Sequence, residues 1–327
     1  MKKYKVVSLF AGCGGSDIGV VGGFNYLNRR YSQLPFEIIH ASDYDIAAVE
    51  TYNKNFKHKA FCVDVKDLSS DDLPACDLIL GGFPCQSFST VNPTKDTKDA
   101  RANLYKEMLR IVSEKSPKAF IAENVKGMMT LEKGAIMKRI VSDFESVGYR
   151  VKYKLLNSAD FGVPQRRERV FIVGLRKDID AEYQFPEPKH SIKPTDVKSA
   201  WVPLKCVIDN LEIEDSKYYF SQRAVEGMKK AKPNMKRGLA QDLNQPCLTI
   251  TSHLSKVSLN SRDPVLLVDP NKELYRRFTV NEAARIQSFP ESFVFPVSDF
   301  QAYRQIGNAI PPVVMWHVAR KLKEVLG

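Results

Sequence analysis

The chain has 327 residues, 43% of them hydrophobic, enough to bury a substantial core and too apolar for a disordered protein. Its 49 Lys and Arg against 38 Asp and Glu give a formal charge of +11, which favours polyanionic partners without identifying one. The six cysteines, Cys13, Cys62, Cys76, Cys85, Cys206 and Cys247, form no C-x-x-C pair and lie at no zinc-ligand spacing from a histidine, so no metal is expected. The first residues lack an apolar signal core, and no apolar run reaches the roughly 18 residues of a membrane span, so the expected compartment is the reduced cytoplasm.

In chain order, Lys5 to Phe10, Phe36 to Ala41, Ala60 to Val63, Asp77 to Leu80 and Ala119 to Ala122 read as strands, and Asn103 to Glu114 and Lys133 to Val147 as amphipathic helices. Arg150 to Leu156 and Arg169 to Leu175 supply two last strands. The alternation predicts an α/β fold with a doubly wound parallel sheet, ending near Arg176. From Lys177 to Arg276, Pro186, Pro188, Pro194, Pro203, Pro233, Pro246 and Pro264 break up short polar and aromatic stretches, which reads as a smaller, loop-rich domain over 177–276. Thr279 and Glu282 then form a capping-box pattern before Ala283 to Ser288. Pro311 and Pro312 precede an amphipathic run ending at Leu326, so 277–327 forms a C-terminal segment whose last helix returns to the first domain.

Four motifs sit where such a sheet keeps its chemistry. Phe10-Ala-Gly-Cys-Gly-Gly-Ser-Asp-Ile-Gly19 places glycines at a strand-to-helix turn, yet Asp17 fills the third glycine position of the dinucleotide fingerprint, which suits a nucleoside ligand without phosphates. Asp43, ending the second strand, is placed to accept from ribose hydroxyls, and Asp64, after the third, from an adenine amino group. Gly81-Gly82-Phe83-Pro84-Cys85-Gln86-Ser87-Phe88-Ser89 follows the fourth strand; a thiol there titrates near ~8.5 unless a cation, a helix end or the substrate helps it, and most cysteines are inert. Glu123, after the fifth strand, shares that sheet edge. Alternation along Val163-Pro-Gln-Arg-Arg-Glu-Arg169 sends Arg167 and Arg169 to one side, where two guanidinium forks can address a phosphate and a base oxygen. Each motif alone has a plainer reading: an ordinary glycine turn, a buried inert cysteine, a capping or solvated carboxylate, and a solvated charged strand end.

Together and in this order, FAGCGG, GGFPCQSFS, ENVKGM, QRRERVFIVG and QIGNAIPP resemble the C5-cytosine DNA methyltransferase family across nearly the whole chain. The resemblance implies a mostly parallel sheet of the S-adenosylmethionine-dependent type with a target-recognition domain. It implies a cofactor pocket of Phe10, Ala11, Gly12, Cys13, Gly14, Asp43, Tyr44, Asp64, Val65, Pro84, Leu104 and Asn308. Cys85 matches the nucleophile, Glu123 the acid at cytosine N3, Arg169 the arginine at the base carbonyl, and Arg167 its neighbour beside the phosphate backbone or the loop. Gln86, Ser89 and Arg101 match a loop that closes over DNA. The implied partner is duplex DNA, bound by a monomer, without metal or membrane, and with room for a cognate restriction endonuclease.

For DNA grip, residues 217 to 237 carry Lys217, Arg223, Lys229, Lys230, Lys232, Lys236 and Arg237 against one acid, Glu226. The segment Cys247 to Lys256 resembles the family's recognition strand and offers Thr249, Thr251, His253 and Lys256 for groove reading. Two features depart from the family pattern: Asp43 is shorter than the usual glutamate, and Asn28 to Phe36 looks like an extra turn. The short N-terminus fits a bacterial or phage enzyme. The rivals are the tRNA-methylating branch, whose Cys-Phe-Thr segment is absent, and a non-catalytic DNA-binding relative.

Overall fold

The computed structural model describes residues 3–84, 104–231, 240–256 and 264–327. The elements run β1 (Tyr4–Leu9), α1 (Gly15–Val21), β2 (Phe24–Tyr26), β3 (Arg29–Tyr31), β4 (Phe36–Asp43), α2 (Ile46–Asn55), β5 (Ala60–Cys62), β6 (Leu78–Gly81), α3 (Leu104–Lys115), β7 (Ala119–Val125), α4 (Ala135–Ser146), β8 (Tyr149–Asn157), β9 (Gln165–Arg166) and β10 (Glu168–Arg176). After them come β11 (His190–Ser191), β12 (Ser199–Ala200), α5 (Gln222–Ala231), β13 (Cys247–Leu248), β14 (Leu266–Asp269), β15 (Leu274–Arg276), α6 (Val280–Ile286), α7 (Asp299–Asn308) and α8 (Pro312–Leu326).

Seven strands form the central sheet in the order β5-β4-β1-β6-β7-β10-β8. All seven coincide with runs read as strands in the sequence. The sheet is not wholly parallel: β10 pairs antiparallel with both β7 and β8. The stretch from Asn157 to Glu168 is too short for a helical crossover, so β8 and β10 join as antiparallel neighbours.

Alternation along the buried strands feeds two cores. Val6, Leu78, Leu80, Ile121, Phe171 and Val173 face α1 and α8, whereas Val7, Leu9, Ile79, Phe120, Val170 and Ile172 face α3 and α4. The helices answer with stripes at helical spacing, Tyr105, Met108, Ile111 and Val112 on α3 and Ile136, Met137, Ile140 and Phe144 on α4. The extra segment before β4 is a hairpin that starts at Phe24, earlier than the sequence suggested. Leu27 and Asn28 take positive φ of 44° and 59° at its tip, as a tight two-residue turn requires.

The chain does not leave the first core at Arg176. Ile179, Ala181, Tyr183 and Phe185 still pack against it, and the Tyr183 hydroxyl donates to Val318 O at 3.2 Å. A third core then gathers Leu204, Val207, Cys247, Ile250, Leu254 and Leu266 with Phe278, Ile286, Phe289, Tyr303 and Ile306. The capping box is present as read: Thr279 Oγ1 accepts from Glu282 N, and Glu282 Oε2 accepts from Thr279 N. The 177–276 stretch is less irregular than its prolines suggested, because α5 falls within it.

Candidate active site

The carboxyl ends of β1, β4, β6 and β7, with the start of the antiparallel β10, bring the sequence motifs to one edge of the sheet. β1 runs into the glycine turn through Phe10 with a left-handed φ of 54°, and Gly14, at φ 96°, caps α1. Asp43 holds the turn: its Oδ2 accepts from Gly12 N at 2.7 Å and its Oδ1 from Asp45 N at 2.9 Å. Burial pushes the Asp43 carboxyl up, against these two bonds. Each oxygen retains a second lone pair. Beside it the Tyr44 ring is 64% exposed, and Asp64 spends one oxygen on Lys66 N at 3.0 Å. Val65 is buried, Leu104 opens α3, and Asn308 is exposed at the end of α7. Ala11 and Cys13 are buried within the turn; burial pushes the Cys13 thiol up to about 12, so it is an inert wall.

Glu123, on β7, pairs with Arg169 Nε at 3.1 Å, with side chains only 11% and 16% exposed. Register explains the pair: Arg169 stands opposite Val125 and Phe171 opposite Glu123, which sets Glu123 and Arg169 diagonally on one face. Burial pushes the Glu123 carboxyl up, and Arg169 and then Arg167 pull it down. Arg169 also donates from its guanidinium to Glu168 O at 2.8 Å. Gly82 lies close by, since a Cβ on it would stand 3.9 Å from Glu123 Oε2. Asn124, which the sequence reading passed over, donates from Nδ2 to Phe83 O at 2.8 Å and accepts Val125 N on Oδ1. The strand that carries the acid therefore also grips the Gly82–Pro84 stretch. Cys85 follows Pro84 directly; Cys85, Gln86, Ser89 and Arg101 lie outside the described residues.

Arg167 was expected beside the phosphate backbone or the loop; the loop lies outside the described residues, and the side chain is not on a surface open to a phosphate. It is 1% exposed, and its guanidinium donates to the carbonyls of Ile250 at 3.0 Å, Gly307 at 2.9 Å and Ala309 at 3.2 Å. Two carbonyls, Ile250 O and Gly307 O, would otherwise be bare at the junction of β9, the 247–256 segment and α7, and the fork reaches both together with Ala309 O. Gln165 completes the junction, accepting Ile250 N at 3.0 Å and donating to Gln287 Oε1 at 2.5 Å. The segment expected to read bases is accordingly occupied in part by packing. Cys247 and Leu248 pair with β9, Ile250 and Leu254 are buried, and Thr249 Oγ1 donates to Arg166 O. Thr251 accepts His253 N and its backbone abuts Gly307, where a Cβ would collide; His253 is exposed, and Lys256 ends a single helical turn.

The basic stretch is also less bare than its sequence. Lys217 meets Asp215 at 3.4 Å and Asp299 at 3.0 Å, and Lys229 pairs with Glu273, so acids distant in the chain neutralise two of its cations. Lys232, Lys236 and Arg237 lie outside the described residues. Among the described residues, no cluster of His, Cys, Asp and Glu could hold a metal ion, and no helix is long and apolar enough to cross a membrane.

A family model described as C-5 cytosine-specific DNA methylase matches residues 4–324. The chain is 34% identical over 349 residues to the Type II methyltransferase M.FnuDI of Fusobacterium nucleatum, covering 98% of this chain and 95% of that one. It is 33% identical over 328 residues to the Type II methyltransferase M.NlaX of Neisseria lactamica, covering 99% and 97%. Its fold matches the Entamoeba histolytica methyltransferase EhMeth, with a TM-score of 0.73 at 19% identity over 100% of both chains. It also matches the S. pombe Dnmt2 methyltransferase, with a TM-score of 0.74 at 21% identity over 98% and 99% of the two chains. The sheet order, the buried acid beside Gly82 and the match over residues 4–324 place this chain in the C-5 cytosine-specific DNA methylase family, as a DNA (cytosine-5)-methyltransferase.

Proposed function

We propose that the enzyme methylates C5 of a cytosine extruded from duplex DNA, through a transient bond between Cys85 Sγ and cytosine C6, with S-adenosylmethionine as methyl donor. The observation that carries this reading is the buried Glu123–Arg169 pair 3.1 Å apart on the sheet edge, with Gly82 of the stretch entering Cys85 against the acid.

The cofactor reading has support from the donor set. The turn from Phe10 to Gly14 is wound through left-handed φ, Asp43 retains lone pairs for ribose hydroxyls, and the exposed Tyr44 ring offers a face to a base. In this reading Phe10 to Gly14, Asp43, Tyr44, Asp64, Val65, Pro84, Leu104 and Asn308 hold S-adenosylmethionine, whose bound sulfonium supplies an electrophilic methyl group.

Cytosine C5 is a weak nucleophile. Addition of the Cys85 thiolate at C6 turns the ring into an enamine, with C5 as its nucleophilic carbon. Glu123, held up by burial, is suited to keep a proton for N3, which drains charge from the ring as the C6–S bond forms. Arg169 orients that carboxyl and neutralises density on O2. Once C5 carries the methyl group, loss of the C5 proton to a base and β-elimination break the C6–S bond and return Cys85. Since the target atoms are stacked and paired in a duplex, the base must leave the helix, and Gln86, Ser89 and Arg101 are assigned to the loop that covers it. The recognition role is assigned to 177–276, with Thr249, Thr251, His253 and Lys256 on the segment that Arg167 anchors at Ile250 O. That relatives are named Type II methyltransferases supports a modification role, and a cognate endonuclease belongs to this proposal.

The test is transfer of labelled methyl from S-adenosylmethionine to duplex DNA by the purified full chain. Methylation of duplex DNA and not of tRNA supports the reading; equal transfer to tRNA overturns it.

A further inference from the structure

The glycine turn rests on a support that this chemistry does not use. On α2, Tyr52 and Phe56 stack one helical turn apart, with ring centroids 4.1 Å apart and planes 20° from parallel. Gly14 lies directly on them: a Cβ there would overlap the Phe56 ring and stand 3.1 Å from Tyr52 Cδ2. Beneath the turn, in the first turn of α1, Asp17 is fully buried. It accepts from Ser8 Oγ at 2.7 Å and Ser16 Oγ at 3.0 Å on Oδ1, and from the Tyr52 hydroxyl at 2.5 Å on Oδ2. The same Tyr52 oxygen lies 2.5 Å from His58 Nε2.

Those two short contacts need two hydrogens, and Tyr52 has one. Burial pushes the Asp17 carboxyl up, but the three hydroxyls directed at it pull it down and favour the arrangement in which Asp17 only accepts. The second hydrogen then sits on His58 Nε2, and donation runs one way, from His58 to Tyr52 to Asp17. His58 is only partly buried and lines a cavity of about 470 Å³ shared with Asn55, Phe56 and Lys57, so its side chain can be exchanged without overpacking.

We infer that Tyr52 and His58 are positioning residues for cofactor binding, fixing the Phe10–Gly14 backbone through Asp17 at the start of α1. The inference rests on the assignment of that turn to S-adenosylmethionine. Glu123 and Arg169 stand on β7 and β10, so the support acts on cofactor hold and not on the chemistry at cytosine.

The test measures S-adenosylmethionine binding to the full chain by calorimetry, with steady-state methylation alongside. Tyr52→Phe keeps the stacked rings and removes the hydroxyl; it should raise Kd and KM for the cofactor about tenfold, with kcat at saturating cofactor held within about twofold. His58→Leu should give the same rise and add little to Tyr52→Phe, whereas His58→Gln, whose Nε2–H can donate to Tyr52, should stay near wild type. Unchanged affinity in Tyr52→Phe, even with a lowered Tm, overturns the inference, as does a His58→Gln variant that behaves like His58→Leu. Failure of the wild-type chain to bind S-adenosylmethionine is a separate outcome, which removes the cofactor assignment itself.

Discussion

Replacing Arg167 with Met separates a structural arginine from a phosphate-binding one. The guanidinium serves three carbonyls; Ala309 O keeps a second donor in Gln287 Nε2 at 2.6 Å, so Ile250 O and Gly307 O are the two left bare. Two buried acceptors without donors cost roughly 1–3 kcal/mol each. Part of this is returned because a buried charge is removed: burial, and then Arg169, hold the Arg167 guanidinium well below its usual range. The net is a loss of about 2–4 kcal/mol, or roughly 3–6 °C in Tm for a chain of this size. Thermal unfolding and the salt dependence of DNA binding are the assays. A lower Tm with an unchanged log Kd against log salt slope is expected. An unchanged Tm with a slope smaller by about 0.9, the value of one phosphate contact, would refute the reasoning and restore the phosphate role.

Three further outcomes follow from other sites. Burial, with Arg320, Arg29, Lys189 and His190 adding positive charge, brings the His317 pKa down from 6.5 to about 3. The unfolded chain then takes up a proton that the folded one refuses, so stability present above about pH 6.5 is lost as pH falls, by up to about 1.4 kcal/mol per pH unit; wild type minus His317→Leu in urea melts from pH 7 to 4 should show this slope, and a flat difference would contradict it. Arg276, 0% exposed, forms a two-pronged pair with Glu282 at 2.8 Å and 2.8 Å; Arg276→Ala strands the carboxylate and should cost about 3–5 kcal/mol in chemical denaturation, where a loss below about 1 would contradict the buried pairing. The Tyr44 ring is 64% exposed, so Tyr44→Ala should leave Tm within about 1–2 °C while weakening S-adenosylmethionine roughly five- to hundredfold, the worth of one base–aromatic stack; equal affinity in calorimetry would remove it from the pocket.

Local signals carried the catalytic half of the fold. Apolar runs bounded by turns gave all seven sheet strands, and Thr279 with Glu282 gave a helix start, because strand burial and capping are written in neighbouring residues. Glu123 and Arg169 were legible as types at the ends of two strands, and the sheet order and register supplied their contact. Arg167 was misread because alternation tells which side a residue faces and not whether that side is open. Its acceptors, Ile250, Gly307 and Ala309, lie 83 to 142 positions away. The ion pairs of Lys217 and Lys229 were not legible for the same reason, their acids Asp299 and Glu273 being remote in sequence. Asn124 stood inside a quoted motif, yet its bond to Phe83 O spans 41 positions, and only the sheet brings the two together.

The central claim is that Cys85 bonds to its target base. Duplex DNA carrying 5-fluorocytosine in place of cytosine has no C5 proton to lose, so an enzyme that has added its thiolate and methylated C5 cannot eliminate. Intact-mass and peptide-mass measurement after incubation with S-adenosylmethionine should find the enzyme joined to the DNA strand through Cys85, and Cys85→Ser should give no such species. Free wild-type enzyme, or an adduct on another residue, would contradict the mechanism.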